Sequence, residues 1–132
     1  GVFDGQLDKS ANDHYVVTYH DPCNTARAGQ LLDEPREVLG YCVNNFIEMQ
    51  RDTIRENTYC CGAGGGLLTD ELMPIRMAGG KPRALAVKHT KANFLSTICA
   101  ICKAQLPDSM KYWDVPVEVG GVLQLFTNAL KY

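Results

Sequence analysis

Six cysteines fall in this chain of 132 residues, at Cys23, Cys42, Cys60, Cys61, Cys99 and Cys102, and their spacing is its first chemical signal. Cys42 lies in EPREVLGYCVNNFIEMQ, where Val38, Leu39, Cys42, Val43, Phe46 and Met49 recur at three- and four-residue steps. That period predicts an amphipathic helix over Pro35–Arg51 and makes Cys42 a small core residue. The remaining five run as a single cysteine, 36 residues (24 to 59), an adjacent pair, 37 residues (62 to 98) and a Cys-x-x-Cys. A lone Cys-x-x-Cys is shared by zinc sites and redox motifs. Five thiols exceed the four that close a tetrahedral zinc site or hold an ordinary 4Fe–4S cubane. The surplus thiol is the informative one.

The elements that must position these thiols follow from periodicity. His14–His20, HYVVTYH, is rich in β-branched and aromatic residues and runs into the turn signal Asp21-Pro22-Cys23. NTYC reads as a short strand leading into Cys60. Pro82–Phe94 reads as a second helix, FLSTIC as a buried strand ending at Cys99, and VPVEV as a further strand. Val122, Leu123, Phe126, Ala129 and Leu130 mark one face of a closing helix. Strands alternating with helices predict an α/β fold: a small open, mostly parallel sheet flanked by helices. The cysteine loops would then gather at the carboxyl ends of the strands, where open sheets of this kind bind ligands.

Adjacent cysteines in extended backbone point to opposite sides, so Cys60 and Cys61 reach different atoms of one polynuclear centre. The glycines after them, Gly62, Gly64, Gly65 and Gly66, let the backbone approach closely, with N–H groups able to bond sulfur. A phosphate loop is the competing reading of this run. No Gly-Lys-Ser/Thr follows, and Leu67 stands where a GxGxxG motif beginning at Gly62 needs glycine.

Composition bounds the function further. Hydrophobic residues at 45% and charged residues at 21% describe an ordinary globular fold, with no apolar run long enough to span a membrane. Residues 1–13, GVFDGQLDKSAND, read as a flexible edge or linker, with the domain proper over 14–132. The net charge of −2 conceals an acid-free stretch from Leu72 to Pro107 carrying Arg76, Lys81, Arg83, Lys88, Lys91 and Lys103. That stretch is either a solvated helix face or a counter-charge to an anionic centre. The slightly acidic chain, without interleaved aromatics, argues against nucleic acid.

With these residues in hand the chain resembles the CCG, or cysteine-rich, domain of heterodisulfide reductases. The pattern runs through Cys23, Cys60-Cys61-Gly62 and Cys99-Ala100-Ile101-Cys102, and its second gap is slightly longer than the commonest family spacing. The stretches YHDPCNTAR, CCGAGGGLLTDE and CAICKAQLP are most similar to the D-like branch of heterodisulfide reductase subunits. Within that branch they look most like the C-terminal domain of the K subunits of the membrane complex linked to dissimilatory sulfite reductase. The resemblance implies a noncubane 4Fe–4S centre with Cys23, Cys60, Cys61, Cys99 and Cys102 as ligands. It implies an oxidoreductase that cleaves or forms a disulfide or trisulfide on a small sulfur-carrier protein.

The implied partners are a ferredoxin-like domain of the same polypeptide and membrane quinone or haem subunits. The implied location is the cytoplasmic face of a membrane, reached through those partners. His20 and Asp21 become candidates to deliver protons to departing thiolates, and Lys103 a candidate to balance charge beside Cys102. His20 reads equally well as a strand-end histidine bonded to backbone, Lys103 as solvated, and His89 as structural or exposed. A reading from another class stays open: a non-catalytic docking module whose cysteines hold zinc or no metal, a state expected of an isolated domain prepared in air.

Overall fold

In the computed structural model, described over residues 7–63 and 70–130, the chain builds an α/β fold on three parallel strands. They are β1 (Val17–Tyr19), β2 (Phe94–Thr97) and β3 (Glu118–Gly121), in the order β1-β2-β3. Val17 pairs with Phe94, and Phe94 with Glu118. The expected open sheet is present, with all three carboxyl ends at one edge.

Helices cover both faces. On one side α1 (Glu34–Cys42) and α4 (Val122–Ala129) pack with Val17, Tyr19 and Phe94. On the other, α2 (Met73–Thr90) and α3 (Ala100–Tyr112) enclose Leu95 with Ala84, Val87, Leu106 and Met110. The split follows from strand alternation: Phe94 and Leu95 are neighbours in β2 and face opposite layers. The two site cysteines in the buried layers, Cys61 and Cys102, belong to the α2–α3 layer. Cys42 is fully buried in the α1–α4 layer, and burial raises its thiol pKa to about 11. The sheet therefore separates it from them, as its place on an apolar stripe predicts.

Several elements differ from the sequence expectation. The helix expected to reach Arg51 stops at Cys42, with Val43 already extended. Residues 45–47 instead run beside β1 as a fourth extended piece: Val17 N donates to Asn45 O at 2.9 Å, and Ile47 N donates to Val17 O at 2.9 Å. Phe46 and Met49 carried the helical period by coincidence, and Asn44-Asn45 are weak helix formers that release the chain to the sheet. NTYC is not a strand; a 3-10 turn at Arg55–Asn57 delivers Cys60 and Cys61 instead. The second helix starts at Met73, with Pro74 in its first turn, and carries Pro82 inside it. Helix α3 was not expected, since its buried stripe of Cys102, Gln105, Leu106, Ser109 and Met110 includes two polar residues and Pro107 stands inside the helix.

Residues 1–6 lie outside the described part; residues 8–11 and 13 are exposed, while Leu7 and Asn12 tie this stretch to the fold. Lys9–Asn12 form a 3-10 turn capped by the Asp8 carboxylate, and Asp8 N donates to Ala129 O. Asn12 is fully buried, and its Nδ2 donates to Cys42 O at 2.9 Å and Leu125 O at 3.0 Å. Composition hid this because the attachment is made by polar groups, not by an apolar stripe. Among the described residues no helix is long and apolar enough to cross a membrane.

Replacing Asn12 with Ala leaves two buried carbonyls without their donor and is expected to cost about 1–3 kcal/mol. Denaturant unfolding measures this; an unchanged midpoint would mean the segment is a loose edge after all.

Candidate metal centre

Three ligand-type atoms converge inside the α2–α3 layer: a His20 ring nitrogen, Cys61 Sγ and Cys102 Sγ all lie within 4.8 Å of one another, and all three residues are buried. Each arrives by a different route. His20 follows the last residue of β1, and its N–H continues the sheet by donating to Ser96 O at 2.9 Å. Alternation along β1 turns Tyr19 toward α1 and α4 and His20 toward the thiols. Cys102 sits in the first turn of α3, three residues after Cys99, the residue that caps that helix in extended backbone. Cys61 hangs on the loop from Arg55–Asn57.

The Cys61 loop is held by backbone contact. Gly62 has φ +102°, a region a side chain rarely adopts, and a Cβ there would collide with Arg76 O and meet Gly80 N at 2.8 Å. A Cβ on Gly80 would in turn strike Cys61 O at 2.7 Å. The two glycines therefore let the loop press onto α2. Gln105 locks the contact: its Nε2 donates to Cys61 O at 2.9 Å and Arg76 O at 3.2 Å, while Arg76 Nη1 donates to Gln105 Oε1 at 2.5 Å. Cys60 Sγ accepts from Gly62 N at 3.2 Å. Cys61 hydrogen-bonds with Cys102 and with Cys60; the Cys102 contact and burial push the Cys61 thiol up to about 11, against the Cys60 bond and an Ala63 N–H.

Of the sequence candidates, the structure thus brings Cys60, Cys61, Cys102 and His20 together. Cys23 and Cys99 are half-buried at the same edge, three residues past His20 and three before Cys102, outside the tight trio. Gly62 takes the close-approach role expected of it, while Gly64, Gly65 and Gly66 lie outside the described residues. Asp21 is buried and fully engaged: Arg36 donates to its two oxygens at 2.8 and 2.7 Å, and Arg55 N adds a third bond at 2.8 Å. Its carboxylate anchors the turn before Cys23. Lys103 is exposed, its Nζ near Gly121 at the end of β3.

The basic stretch is not one solvated face. Arg76 is 3% and Arg83 0% exposed, on the same stripe of α2 as Met77, Gly80, Ala84 and Val87. That period was visible in the sequence, but the charge of arginine masks it. Arg83 Nη2 donates to Thr53 O at 2.5 Å and to Thr58 Oγ1 at 2.9 Å, and Thr58 Oγ1 donates to Asp21 O at 2.7 Å. Burial works against the Arg83 charge, and Asp21, Tyr59, Cys102 and Cys61 favour it. Burial first, and then Arg83, drives the His20 pKa well below the ordinary imidazole value.

Whether these residues suit a resident metal group can be tested on the buried polar atoms. Thr18 Oγ1, Tyr19 OH, both His20 ring nitrogens, Ser96 Oγ and Thr97 Oγ1 are buried without a hydrogen-bond partner, as are Arg83 Nε and Ser109 Oγ. Most belong to residues of β1 and β2 or just past them; alternation turns Thr18, His20 and Thr97 toward the thiol layer and Tyr19 and Ser96 toward the other. Native interiors leave few such atoms unpaired. Soft sulfur donors, an imidazole and N–H and O–H groups in one pocket fit an iron–sulfur group with acceptor sulfurs.

A protein assembled this way is a cysteine-rich α/β domain with a metal-type site at its sheet edge. Residues 17–107 match the CCG cysteine-rich domain family, and the chain belongs to it. It is 53% identical over 128 residues to the Hdr-like menaquinol oxidoreductase iron-sulfur subunit 2 of Archaeoglobus fulgidus, covering 94% of this chain and 23% of that protein. It is 52% identical over 128 residues to the Hdr-like menaquinol oxidoreductase iron-sulfur subunit of Archaeoglobus profundus, covering 94% and 23%. It is 36% identical over 116 residues to the D-type subunit of the dihydromethanophenazine:CoB–CoM heterodisulfide reductase of Methanosarcina mazei, covering 87% and 28%. The chain thus spans about a quarter of the length of these relatives. No solved structure matches it.

Gly62→Ala is expected to destabilise the fold by at least about 1–3 kcal/mol from backbone strain alone, and to loosen the Cys60–Gly62 loop. Thermal unfolding together with alkylation of Cys61 by a thiol reagent checks both. A variant of native stability with Cys61 still protected would show the contact with α2 to be dispensable.

Proposed function

We propose that the chain is the iron–sulfur redox domain of a heterodisulfide reductase-like oxidoreductase. Its centre would be a noncubane 4Fe–4S cluster on Cys23, Cys60, Cys61, Cys99 and Cys102. The observation that carries the reading is the buried trio of His20, Cys61 and Cys102, whose ligand-type atoms lie within 4.8 Å of one another and whose imidazole nitrogens lack hydrogen-bond partners among the described residues. The kinship with iron–sulfur and heterodisulfide reductase proteins supports it. When bound, such a group supplies single-electron steps and sites for substrate sulfur.

The residues divide the remaining work. Cys61 and Cys102 hold the buried side of the centre, and the exposed Cys60 with half-buried Cys23 and Cys99 hold the side that a substrate reaches. Cleaving one S–S bond consumes two electrons and two protons and yields two thiols. Lys103, exposed and next to Cys102 in the chain, would balance thiolate charge and relay protons from solvent. His20 is a buried imidazole within 4.8 Å of the Cys61 and Cys102 sulfurs. Asp21, tied to Arg36, contributes by fixing the His20–Cys23 turn.

The substrate is proposed to be a disulfide or trisulfide on a small sulfur-carrier protein, in dissimilatory sulfur metabolism. A ferredoxin-like domain and membrane quinone or haem subunits would supply or take electrons, at the cytoplasmic face of a membrane. A second reading has its own observation: two thiols and an imidazole within 4.8 Å are a donor set that zinc accepts, which would make the domain a non-catalytic docking module.

Metal analysis after anaerobic preparation separates the two. The expected result is about four irons with matching acid-labile sulfide per chain, retained in Cys42→Ser and lost or degraded with serine at Cys23, Cys60, Cys61, Cys99 or Cys102. Stoichiometric zinc without sulfide would establish the second reading. A dispensable cysteine among the five, with Cys42 essential, would overturn the ligand assignment.

A further inference from the structure

His20 and Arg83 share an unusual condition. Both are completely buried, and three of their nitrogens, His20 Nδ1, His20 Nε2 and Arg83 Nε, have no hydrogen-bond partner. Leaving a buried donor or acceptor unpaired costs about 1–3 kcal/mol, so retaining three such atoms on two buried side chains calls for a ligand. Neither side chain is free to turn toward water. Arg83 is pinned by Thr53, Thr58 and Met49, and its ring neighbour is Tyr59. His20 is pinned at its backbone by Ser96, with Cys61 and Cys102 Sγ within 4.8 Å of its ring. The arginine feels both of those thiols electrostatically, and the imidazole feels the arginine.

We propose that His20 and Arg83 act as positioning residues that aim N–H donors at the sulfur atoms of the centre held by Cys61 and Cys102, and thereby raise its reduction potential. The five cysteines already supply the metal ligands, so the imidazole is not needed as another. A neutral imidazole keeps one N–H to donate, and Arg83 adds an N–H and a positive charge that cannot be titrated away near neutral pH. Donors and cations beside the sulfurs favour the more reduced, more negative state. Lys103 cannot substitute, because its ammonium stands in solvent, where charge is screened. The buried pair would set the potential, and the exposed lysine would meet the substrate.

This inference rests on the iron–sulfur reading, and the test separates the two. In protein isolated anaerobically with its centre in place, redox titration followed by electron paramagnetic resonance gives the midpoint potential. His20→Phe is expected to shift it to a more negative value with iron and sulfide content unchanged. His20→Gln, which keeps an N–H, should recover part of the shift. Arg83→Lys, which keeps the charge, should shift the potential less than Arg83→Met.

Should these variants fail to fold, the wild-type protein suffices. With ¹⁵N-histidine and exchange into D₂O, pulsed resonance on the paramagnetic state should show a coupled exchangeable deuteron and only weak nitrogen coupling. A strong, directly bonded nitrogen coupling would make His20 an iron ligand and overturn the proposal. Unchanged potentials in all four variants, or no exchangeable deuteron, would overturn it and leave the iron–sulfur reading intact. Wild-type protein lacking iron and sulfide would overturn both.

Discussion

The structure turns on an imbalance at the carboxyl edge of its sheet: polar atoms are buried there in excess of the partners that the described residues provide. Thr18, Tyr19, His20, Ser96 and Thr97 all end in unpaired groups at or just past β1 and β2. At about 1–3 kcal/mol for each unsatisfied group, such a cluster is a large fraction of a domain's net stability. An apolar filling would have been cheaper, as it is one layer away around Cys42, Leu39 and Leu125. The cost is tolerated where a bound group can take up the donors. The Cys61 and Cys102 thiols beside His20 make a soft donor set at the same edge.

Much of the remaining architecture serves this edge. The parallel sheet brings the β1 and β2 loops to one side, and the Gly62–Gly80 contact carries a third loop across to meet them. Gln105 and Arg76, buried on α3 and α2, fix that contact from behind. Asp21 does the same for the first loop through Arg36, which stacks over Tyr19 at 5.1 Å and also pairs with Glu48. Each of these two loops is therefore braced by a charged or amide group that never touches the centre. Such supports hold metal ligands in register.

The fold class was legible in the sequence because β2 and α4 are short, strongly patterned and apolar. Spacing singles out five of the six cysteines in the sequence, and the structure brings two of them, Cys61 and Cys102, together with His20. Boundaries failed where tertiary contact outweighed local pattern. Residues 45–47 satisfy a helical period yet hydrogen-bond to Val17, since β1 offers an open edge there. Residues 7–12 look like a linker yet cap two buried carbonyls through Asn12. Arg83 was hardest to read: a buried cation on a helix stripe is indistinguishable by composition from a solvated one. Its place in the thiol layer emerges only when the helix stripe of α2 and strand alternation at His20 are set on the same side of the sheet.

The most direct test of the central claim is hydrogen exchange with and without the metal group. The layers around Leu95 and Leu125 have their own apolar cores, so their protection should be the same in both states. Protection should rise on loading at residues 20–23, 60–62 and 99–103, where ligand binding supplies ordering energy. Equal protection at these loops in both states would contradict the claim that they are built around a bound centre.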